Sequence, residues 1–236
     1  MGRIIVLTIF IITFFSRSGI SGNVPAAGVH NILSLQDTSK ENQILYNGRI
    51  WRNRYLLVKE NQFLFSKVFI PGSLTIRGKK FTDIYLKYDI YNDEIITPVN
   101  PGGIVQLNKQ LVDSFTLFFN SKTYRFIRVM DDTAKRSDVY YNVLYKGGTS
   151  LYVKYIKKID KNTDQGNYGK FYQINKVLLV RDNKLFPIKG KNDLLEILST
   201  DKALIKNFIR KSKIKITTKD PESIIPVIKY YESLGR

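Results

Sequence analysis

The chain has 236 residues, of which 43% are hydrophobic and 13% aromatic, so it can bury a core and is not expected to be disordered. Basic residues outnumber acidic ones by 38 to 20. The net charge of +18 favours anionic partners. The alternative is that the lysines only keep the surface soluble, which would give the same net charge. The absence of cysteine excludes disulfides, cysteine nucleophiles and cysteine-based zinc sites, and the single histidine, His30, argues against a Ser-His-Asp triad.

The first element, residues 1–22, has the order of a signal peptide. Arg3 precedes a run of twelve uncharged and mostly apolar residues, and small residues follow the run. A helix needs about 20 apolar residues to span a bilayer, so this run is short for an anchor, and no transmembrane segment is expected in the mature chain. The sequence predicts cleavage near Ser21 or Gly22, with a cut after Ala27 as the alternative, and export to the periplasm or the outer membrane.

A linker and a β domain follow the signal peptide. Residues 23–45 are polar with weak periodicity, which indicates a linker or an irregular segment. Residues 46–188 contain short segments rich in Val, Ile, Tyr and Phe, separated by turn residues. The predicted strands are 54–60, 62–70, 73–78, 83–91, 114–120, 124–130, 139–146, 150–158, 176–182 and 184–189. This pattern predicts an α+β fold that is mainly β: an antiparallel meander, a sandwich or an open half-barrel.

Turn chemistry defines the hairpins within this domain. Gly147-Gly148 separates two alternating strands and can adopt the positive φ angles of a tight turn, and Asp182-Asn183 separates a second pair. Pro71-Gly72 is expected to form a turn as well. In the segment DIYLKYDIY, the alternation places Asp89 on the face that is exposed to water.

The last part of the chain, residues 189–236, changes to a helical period. Its apolar residues predict three short amphipathic helices, which are too short to be stable alone and are therefore expected to pack on the β domain. Ser199 or Thr200 is expected to cap the second helix, and Pro221 lies in the favoured first turn of the third.

The second of these helices is predicted to carry a row of cations, which we call the basic stripe. Its members recur at spacings of four, four and three: Lys202, Lys206, Arg210 and Lys213. They lie opposite an apolar face formed by Leu204, Ile205, Phe208 and Ile209. The basic stripe is the predicted site for an anionic surface, either lipid phosphates or an acidic glycan. The alternative is an ordinary solvated face, where repulsion between like charges is tolerated.

No motif indicates catalysis, a metal site or a cofactor. The sequence lacks a phosphate-binding P-loop and a calcium-binding EF-hand loop. A catalytic carboxylate pair could form from acidic residues that lie close together in the chain. The candidates are Asp83, Asp89, Asp93 and Glu94. Trp51 and Tyr55 can form a stacking platform for a sugar ring, but packing within the protein is the more common role of such residues.

Three stretches of the chain resemble uncharacterised exported proteins of the Bacteroidota. They are FTDIYLKYDIYNDEI, VLYKGGTSLYVKYIKKI and DKALIKNFIRKSKIKITTKDPESIIPVIKYYESL, and Glu232 stands in the third where the resemblance leads us to expect Asn. The resemblance implies the envelope of a cell with two membranes. It implies no activity, and it transfers no catalytic or binding residue to this chain.

These observations lead to one functional hypothesis and two alternatives. The hypothesis is an exported, non-catalytic binding or scaffold module in the periplasm or at the outer membrane. The first alternative is a carrier of an apolar ligand such as a lipid in a concave β sheet, and the second is a carboxylate-based hydrolase. The expected partner is anionic lipid, an acidic glycan or another envelope protein. Nucleic acid is not expected, because export separates the protein from it.

Overall fold

The chain was analysed in a computed structural model that describes residues 44–99, 102–131, 137–161, 168–182 and 184–235. The predicted signal peptide, most of the predicted linker and His30 lie outside the described residues. The prediction of a mainly β, antiparallel α+β fold with short C-terminal helices is confirmed. None of the helices in the described part of the chain has the length and the apolar composition that crossing a bilayer requires.

Eleven strands form one open sheet in which every neighbouring pair is antiparallel. The strands are β1 (Gly48–Ile50), β2 (Ile70–Ile76), β3 (Lys79–Asp89), β4 (Glu94–Val99), β5 (Gly103–Leu107), β6 (Val112–Phe119), β7 (Lys122–Asp131), β8 (Ser137–Tyr145), β9 (Ser150–Asp160), β10 (Lys170–Arg181) and β11 (Lys184–Ile188). Their order in the sheet is β1-β5-β4-β3-β2-β6-β7-β8-β9-β10-β11, so β1 and β11 are the two edges. The strands β4 and β5 were not predicted from the sequence.

The middle of the sheet is strongly curled. A backbone hydrogen bond of 3.1 Å runs from the amide of Lys157 on β9 to the carbonyl of Ile90, the residue that follows β3. The six strands from β3 through β2 and β6 to β9 therefore wrap far enough for the first and the last to meet at one point. This curl creates a concave face that encloses the first hydrophobic core.

Aromatic rings fill the concave face. The rings of Phe115 and Phe126 stack with their centroids 4.5 Å apart, and Tyr88 meets both edge-on at 5.1 and 5.2 Å. Tyr140 closes the group at 5.1 Å from Phe115. All four side chains are at most 2% exposed. Edge-on and offset contacts are the favoured geometries for aromatic rings. The cluster therefore stabilises the curl through the apolar area that it buries and also through the contacts between the rings.

Three helices follow the sheet, and they are α1 (Lys191–Ile197), α2 (Lys202–Lys211) and α3 (Ile225–Ser233). They form a second hydrophobic core with one face of β9, β10 and β11. Val153 and Leu179 contribute to this core from the strands, and Ile205 and Ile228 contribute from the helices. The predicted caps Ser199 and Thr200 instead belong to a 3₁₀ turn before α2, and neither forms a side-chain cap with α2.

The strands predicted at 54–60 and 62–70 are wrong. Residues 51–69 form an irregular crossing segment that pairs with the sheet through two isolated bridges and a few backbone hydrogen bonds, and not as a strand. Side-chain oxygens of Asn53, Asn61 and Ser66 each accept the backbone N–H two residues further on, at 2.9 to 3.1 Å. These local turns compete with extended pairing, which is why the hydrophobic residues between them do not form strands.

The predicted turn at Pro71-Gly72 is also wrong, because β2 runs through both residues. Pro71 pairs only with Tyr85 on β3, before β6 begins to pair on the other side, so its missing N–H removes no bond to β6. A Cβ atom on Gly72 would overlap the carbonyl oxygen of Thr116 on β6. The glycine therefore permits a close approach of two strands, beside a register shift in the β2–β3 pairing.

The hairpin at Gly147-Gly148 is confirmed, but Gly147 makes room for a contact that the sequence did not show. Neither glycine has a positive φ angle. A Cβ atom on Gly147 would overlap the carboxylate of Glu232, which reaches the turn from α3. This carboxylate accepts hydrogen bonds from the Tyr145 hydroxyl and, at 2.8 Å, from the Thr149 amide. Glu232 thereby fastens the last helix to the β8–β9 hairpin.

We expect Glu232→Ala to destabilise the protein, because the amide of the buried Thr149 loses its acceptor, at a cost of about 1–3 kcal/mol. Glu232→Gln keeps one acceptor oxygen and should cost less. The free energy of unfolding in urea is the measurement. Glu222→Ala is the control, since it removes a carboxylate whose partner Lys122 is exposed and should change the stability little. Equal stability of Glu232→Ala and the wild type would contradict the fastening role.

Candidate functional site

A polar cavity of about 370 Å³ lies between the crossing segment and the strands β3, β4 and β5. Its lining contains three arginines, Arg49, Arg52 and Arg54, all of them exposed. It also contains two carboxylates, Asp89 and Glu94, and several side-chain amides and aromatic rings. The cavity therefore offers charged and planar polar groups.

The edge strand β1 positions the first arginine. Arg49 pairs with Gln106 on β5, and the amide of Trp51 extends this pairing with a 2.9 Å bond to the carbonyl of Ile104. The Arg49 side chain donates to Gln106 Oε1 at 2.8 Å and to Glu94 Oε1 at 3.2 Å. Burial raises the pKa of Glu94, and the nearby guanidinium of Arg49 opposes that rise.

The prediction that Asp89 faces water is wrong, because its side chain is 0% exposed. One carboxylate oxygen accepts the backbone N–H groups of Tyr91 and Asn92 at 3.0 and 2.9 Å, and the other accepts the Asn92 side-chain amide at 2.9 Å. Burial raises the pKa of Asp89, and these hydrogen bonds act against the rise. Asp89 therefore organises the turn between β3 and β4, and its oxygens are largely occupied.

The two aromatic residues singled out in the sequence both line this cavity. The Trp51 ring lies 5.8 Å from the ring of Phe63, centroid to centroid, and remains partly exposed. Tyr55 packs edge-on against Tyr91 and Phe171, with centroids 5.0 and 5.6 Å away. These contacts fix the orientation of both rings, so Trp51 and Tyr55 form a rigid part of the wall.

Amide side chains tie the crossing segment to the cavity floor. Asn53 Oδ1 accepts the backbone amide of Tyr55 at 3.0 Å and the side-chain amide of Gln62 at 3.2 Å. Gln62 is only 2% exposed, and its carbonyl accepts the backbone amide of Ile90 at 3.1 Å. The polar wall is therefore held by hydrogen bonds to the end of β3.

A second polar cavity, of about 710 Å³, continues from the first and shares Arg49 and Gln106 with it. We call the two cavities together the polar groove. Ion pairs hold two residues of its far end: Lys109 Nζ lies 2.6 Å from Asp93 Oδ2, and Arg128 lies 2.7 Å from Asp138. The lining of the polar groove is mostly polar, which suits a hydrophilic molecule better than an apolar one.

The four acidic residues considered together in the sequence do not form one cluster. Asp89 and Glu94 pair across β3 and β4 and line the same cavity. Asp93 instead accepts from the Tyr88 hydroxyl and pairs with Lys109. Within the described residues, no group of three or more histidine, cysteine or acidic side chains is placed to hold a metal ion.

The basic stripe is exposed but only partly helical. Lys202, Lys206 and Arg210 lie on α2 with exposed side chains. Lys213 lies beyond the end of the helix at a φ angle of 53°, and its amide bonds to the carbonyl of Arg210 at 3.2 Å. Together with the 3.1 Å bond from the Ile214 amide to the Ile209 carbonyl, this is a Schellman-type C-cap. Lys213 is exposed at this cap and does not continue the helical row.

The arginines and amides of the polar groove were not predicted from the sequence. The signal that could have found them is RIWRNR, in which three arginines surround one tryptophan within six residues, 49–54. No such signal marks Gln62 and Gln106, because they lie in distant segments that only the folding of the chain brings to the groove.

Comparison of the chain with models of protein families, with curated proteins and with solved structures finds no match. The assignment of roles to the residues of the polar groove therefore depends on their geometry and chemistry.

We expect Asp89→Asn to change how the stability depends on pH. The pKa of Asp89 is raised in the folded state, so ionising it costs stability, and this cost grows as the pH rises through that pKa. The amide that replaces the carboxylate has no charge to bury and can still accept backbone N–H groups. We therefore expect the wild type to lose stability relative to the variant as the pH is raised. The free energy of unfolding of the wild type minus that of the variant should decrease from about pH 4 to about pH 7.

The measurement is urea denaturation at both pH values. Asp83→Asn, which removes one carboxylate at an exposed position, is the control for the change in net charge. If the free energy of unfolding of the wild type minus that of Asp89→Asn increased with pH, the result would contradict the burial of an ionisable Asp89.

Proposed function

We propose that the protein is an exported, non-catalytic binding module of the envelope of a diderm bacterium, and that its polar groove holds an acidic glycan. The observation that carries the proposal is the lining of the first cavity, where three arginines, a partly exposed tryptophan and several side-chain amides face one open space. The order of residues 1–22 supports export, and the resemblance to exported proteins of the Bacteroidota supports the envelope.

The chemistry of the lining favours a sugar that carries a carboxylate or a phosphate. Guanidinium groups bind both anions through paired hydrogen bonds, and indole rings offer a flat face to a sugar ring. Arg49 is engaged by Glu94 and Gln106, whereas Arg52 and Arg54 are exposed at the mouth of the cavity. The cavity has three cationic groups against two carboxylates, so its excess charge is positive.

The state of the two carboxylates supports binding over hydrolysis. Glycoside hydrolysis needs one carboxyl group that donates a proton and a second that acts as base or nucleophile. Asp89 accepts three hydrogen bonds from its own turn, and Glu94 accepts from Arg49. Both groups are thus engaged in holding the site.

The filling of the concave face supports a binding module over a carrier of apolar ligands. A carrier needs space within its apolar interior. The rings of Tyr88, Phe115, Phe126 and Tyr140 occupy the concave face in mutual contact.

Glycan binding is tested with the purified mature protein, oligomers of a hexuronic acid and neutral oligomers of equal length, by isothermal titration calorimetry. The acidic oligomers should bind, and the neutral ones should bind more weakly. Arg52→Gln with Arg54→Gln should lower the affinity for the acidic oligomers about tenfold or more, because each arginine forms charge-assisted hydrogen bonds.

The matched control removes two cations elsewhere. Lys206→Gln with Arg210→Gln takes the same charge from the exposed face of α2 and should leave the affinity unchanged. An equal loss in both double variants would show that only net charge matters, and the proposal of a groove site would be rejected.

Export is tested separately, by expressing the full chain in a diderm bacterium and measuring the intact mass of the protein in each cell fraction. We expect the protein in the envelope fraction, with its N-terminus near Ser21 or Gly22, or after Ala27. Protein that keeps Met1 and stays in the cytosol would contradict export and leave the glycan proposal to its own test.

A further inference from the structure

A turn in the crossing segment presents two leucines to solvent. The amide of Val58 bonds to the carbonyl of Tyr55 at 3.2 Å, so Leu56 and Leu57 lie at the tip between them. The two leucines are 78% and 63% exposed. We call residues 55–58 the leucine turn.

The leucine turn is held firmly on both sides. On one side, the Tyr55 ring packs against Tyr91 and Phe171 with centroids 5.0 and 5.6 Å away. On the other side, the Lys59 amide bonds to the carbonyl of Gly169, and the Lys59 carbonyl accepts the amide of Phe171, both at 3.0 Å. These anchors keep Leu56 and Leu57 pointing into solvent, where large apolar side chains have no packing role.

Cations flank the tip on both sides along the chain. Residues 52–59 include Arg52, Arg54 and Lys59, all exposed, and no acidic residue. The next residue, Glu60, lies 3.9 Å from Lys170 at the start of β10. Near this start, Tyr168 is 64% exposed, and tyrosine is a residue type enriched at membrane–water interfaces.

We propose that the leucine turn docks the protein on the surface of an anionic phospholipid bilayer. Leu56 and Leu57 enter the interfacial region, while Arg52, Arg54 and Lys59 lie at the level of the lipid phosphates. Apolar side chains flanked by cations are the pattern that binds such a surface, through apolar burial together with electrostatic attraction. This proposal can hold whether or not the polar groove binds a glycan, because it depends on Leu56 and Leu57, although Arg52 and Arg54 take part in both proposals.

The size of the patch favours a bilayer over a protein partner. A stable protein–protein interface buries more than about 1,000 Å² with good complementarity. The leucine turn offers two leucines, with Tyr168 exposed near the start of β10, and the cations that flank the turn in the chain would lose their hydration against most protein surfaces. A bilayer surface accepts a small apolar tip and supplies phosphates for the cations.

The leucine turn and the basic stripe lie on separate parts of the molecule. The turn contacts the start of β10 near Lys170, whereas α2 packs over the part of β10 that contains Leu179. Nine residues of a strand advance by about 30 Å, so the two surfaces are well apart. A test with variants of each surface can therefore tell them apart.

The test measures co-sedimentation of the mature protein with vesicles of phosphatidylcholine alone and of phosphatidylcholine with phosphatidylglycerol. Wild type should bind the anionic vesicles, and high salt should weaken the binding. Leu56→Ser with Leu57→Ser should lower the partition coefficient about tenfold or more, because two leucyl side chains leave the interface. The free energy of unfolding of this variant in urea should be close to that of wild type, because both leucines are exposed, and this measurement shows that the variant is folded.

Leu204→Ser is the matched control, since Leu204 is a leucine on α2 that is 49% exposed. It should leave the partition coefficient unchanged, and so should Lys206→Glu with Arg210→Glu. The proposal is overturned if the leucine-turn variant binds like wild type, or if the α2 variants lose binding to the same extent. It is also overturned if wild type forms a dimer in analytical ultracentrifugation that the leucine-turn variant does not form, since a second copy would then cover the tip.

Discussion

The structure depends on the curl of the sheet around one aromatic core. Packing between Tyr88, Phe115 and Phe126 draws β3, β6 and β7 around the same space, and the bond from Lys157 to Ile90 marks where the curl meets itself. The crossing segment lies where β3 ends, joined to β3 and to β10 by backbone hydrogen bonds. The polar groove and the leucine turn are both parts of this attachment, so the core sets the geometry of each surface to which we assign a role.

Tyr55 connects the two proposed surfaces. Its ring lines the first cavity and also anchors the leucine turn against Tyr91 and Phe171. A protein that rests on a bilayer through the leucine turn would therefore hold the polar groove close to the membrane surface. In a cell envelope, that is where acidic glycans attached to lipids occur, so the two proposals describe compatible positions of one molecule. Neither requires the helical end, which stabilises the opposite part of the sheet.

Several hydrogen-bonded side chains help to hold the fold of this chain, which has no cysteine and therefore no disulfides. Glu232 joins α3 to the β8–β9 hairpin, and Asp89 organises the turn after β3. In each case a carboxylate accepts backbone N–H groups that the sheet leaves unpaired. Buried polar groups are costly unless they find partners, so these contacts select one arrangement of the strands and helices.

Features that depend on local chemistry could be predicted from the sequence. Alternation within β8 and β9, the turn residues at 147–148 and 182–183, and the helical period after residue 189 are properties of neighbouring residues, and each led to the element observed. Which residues of distant segments meet could not be predicted, because it depends on the strand order. The pairing of Arg49 with Glu94 and the burial of Asp89 depend on strand order. The irregular path of residues 51–69 arises because hydrogen bonds to side chains and to three separate strands outweigh the β propensity of its leucines and phenylalanines.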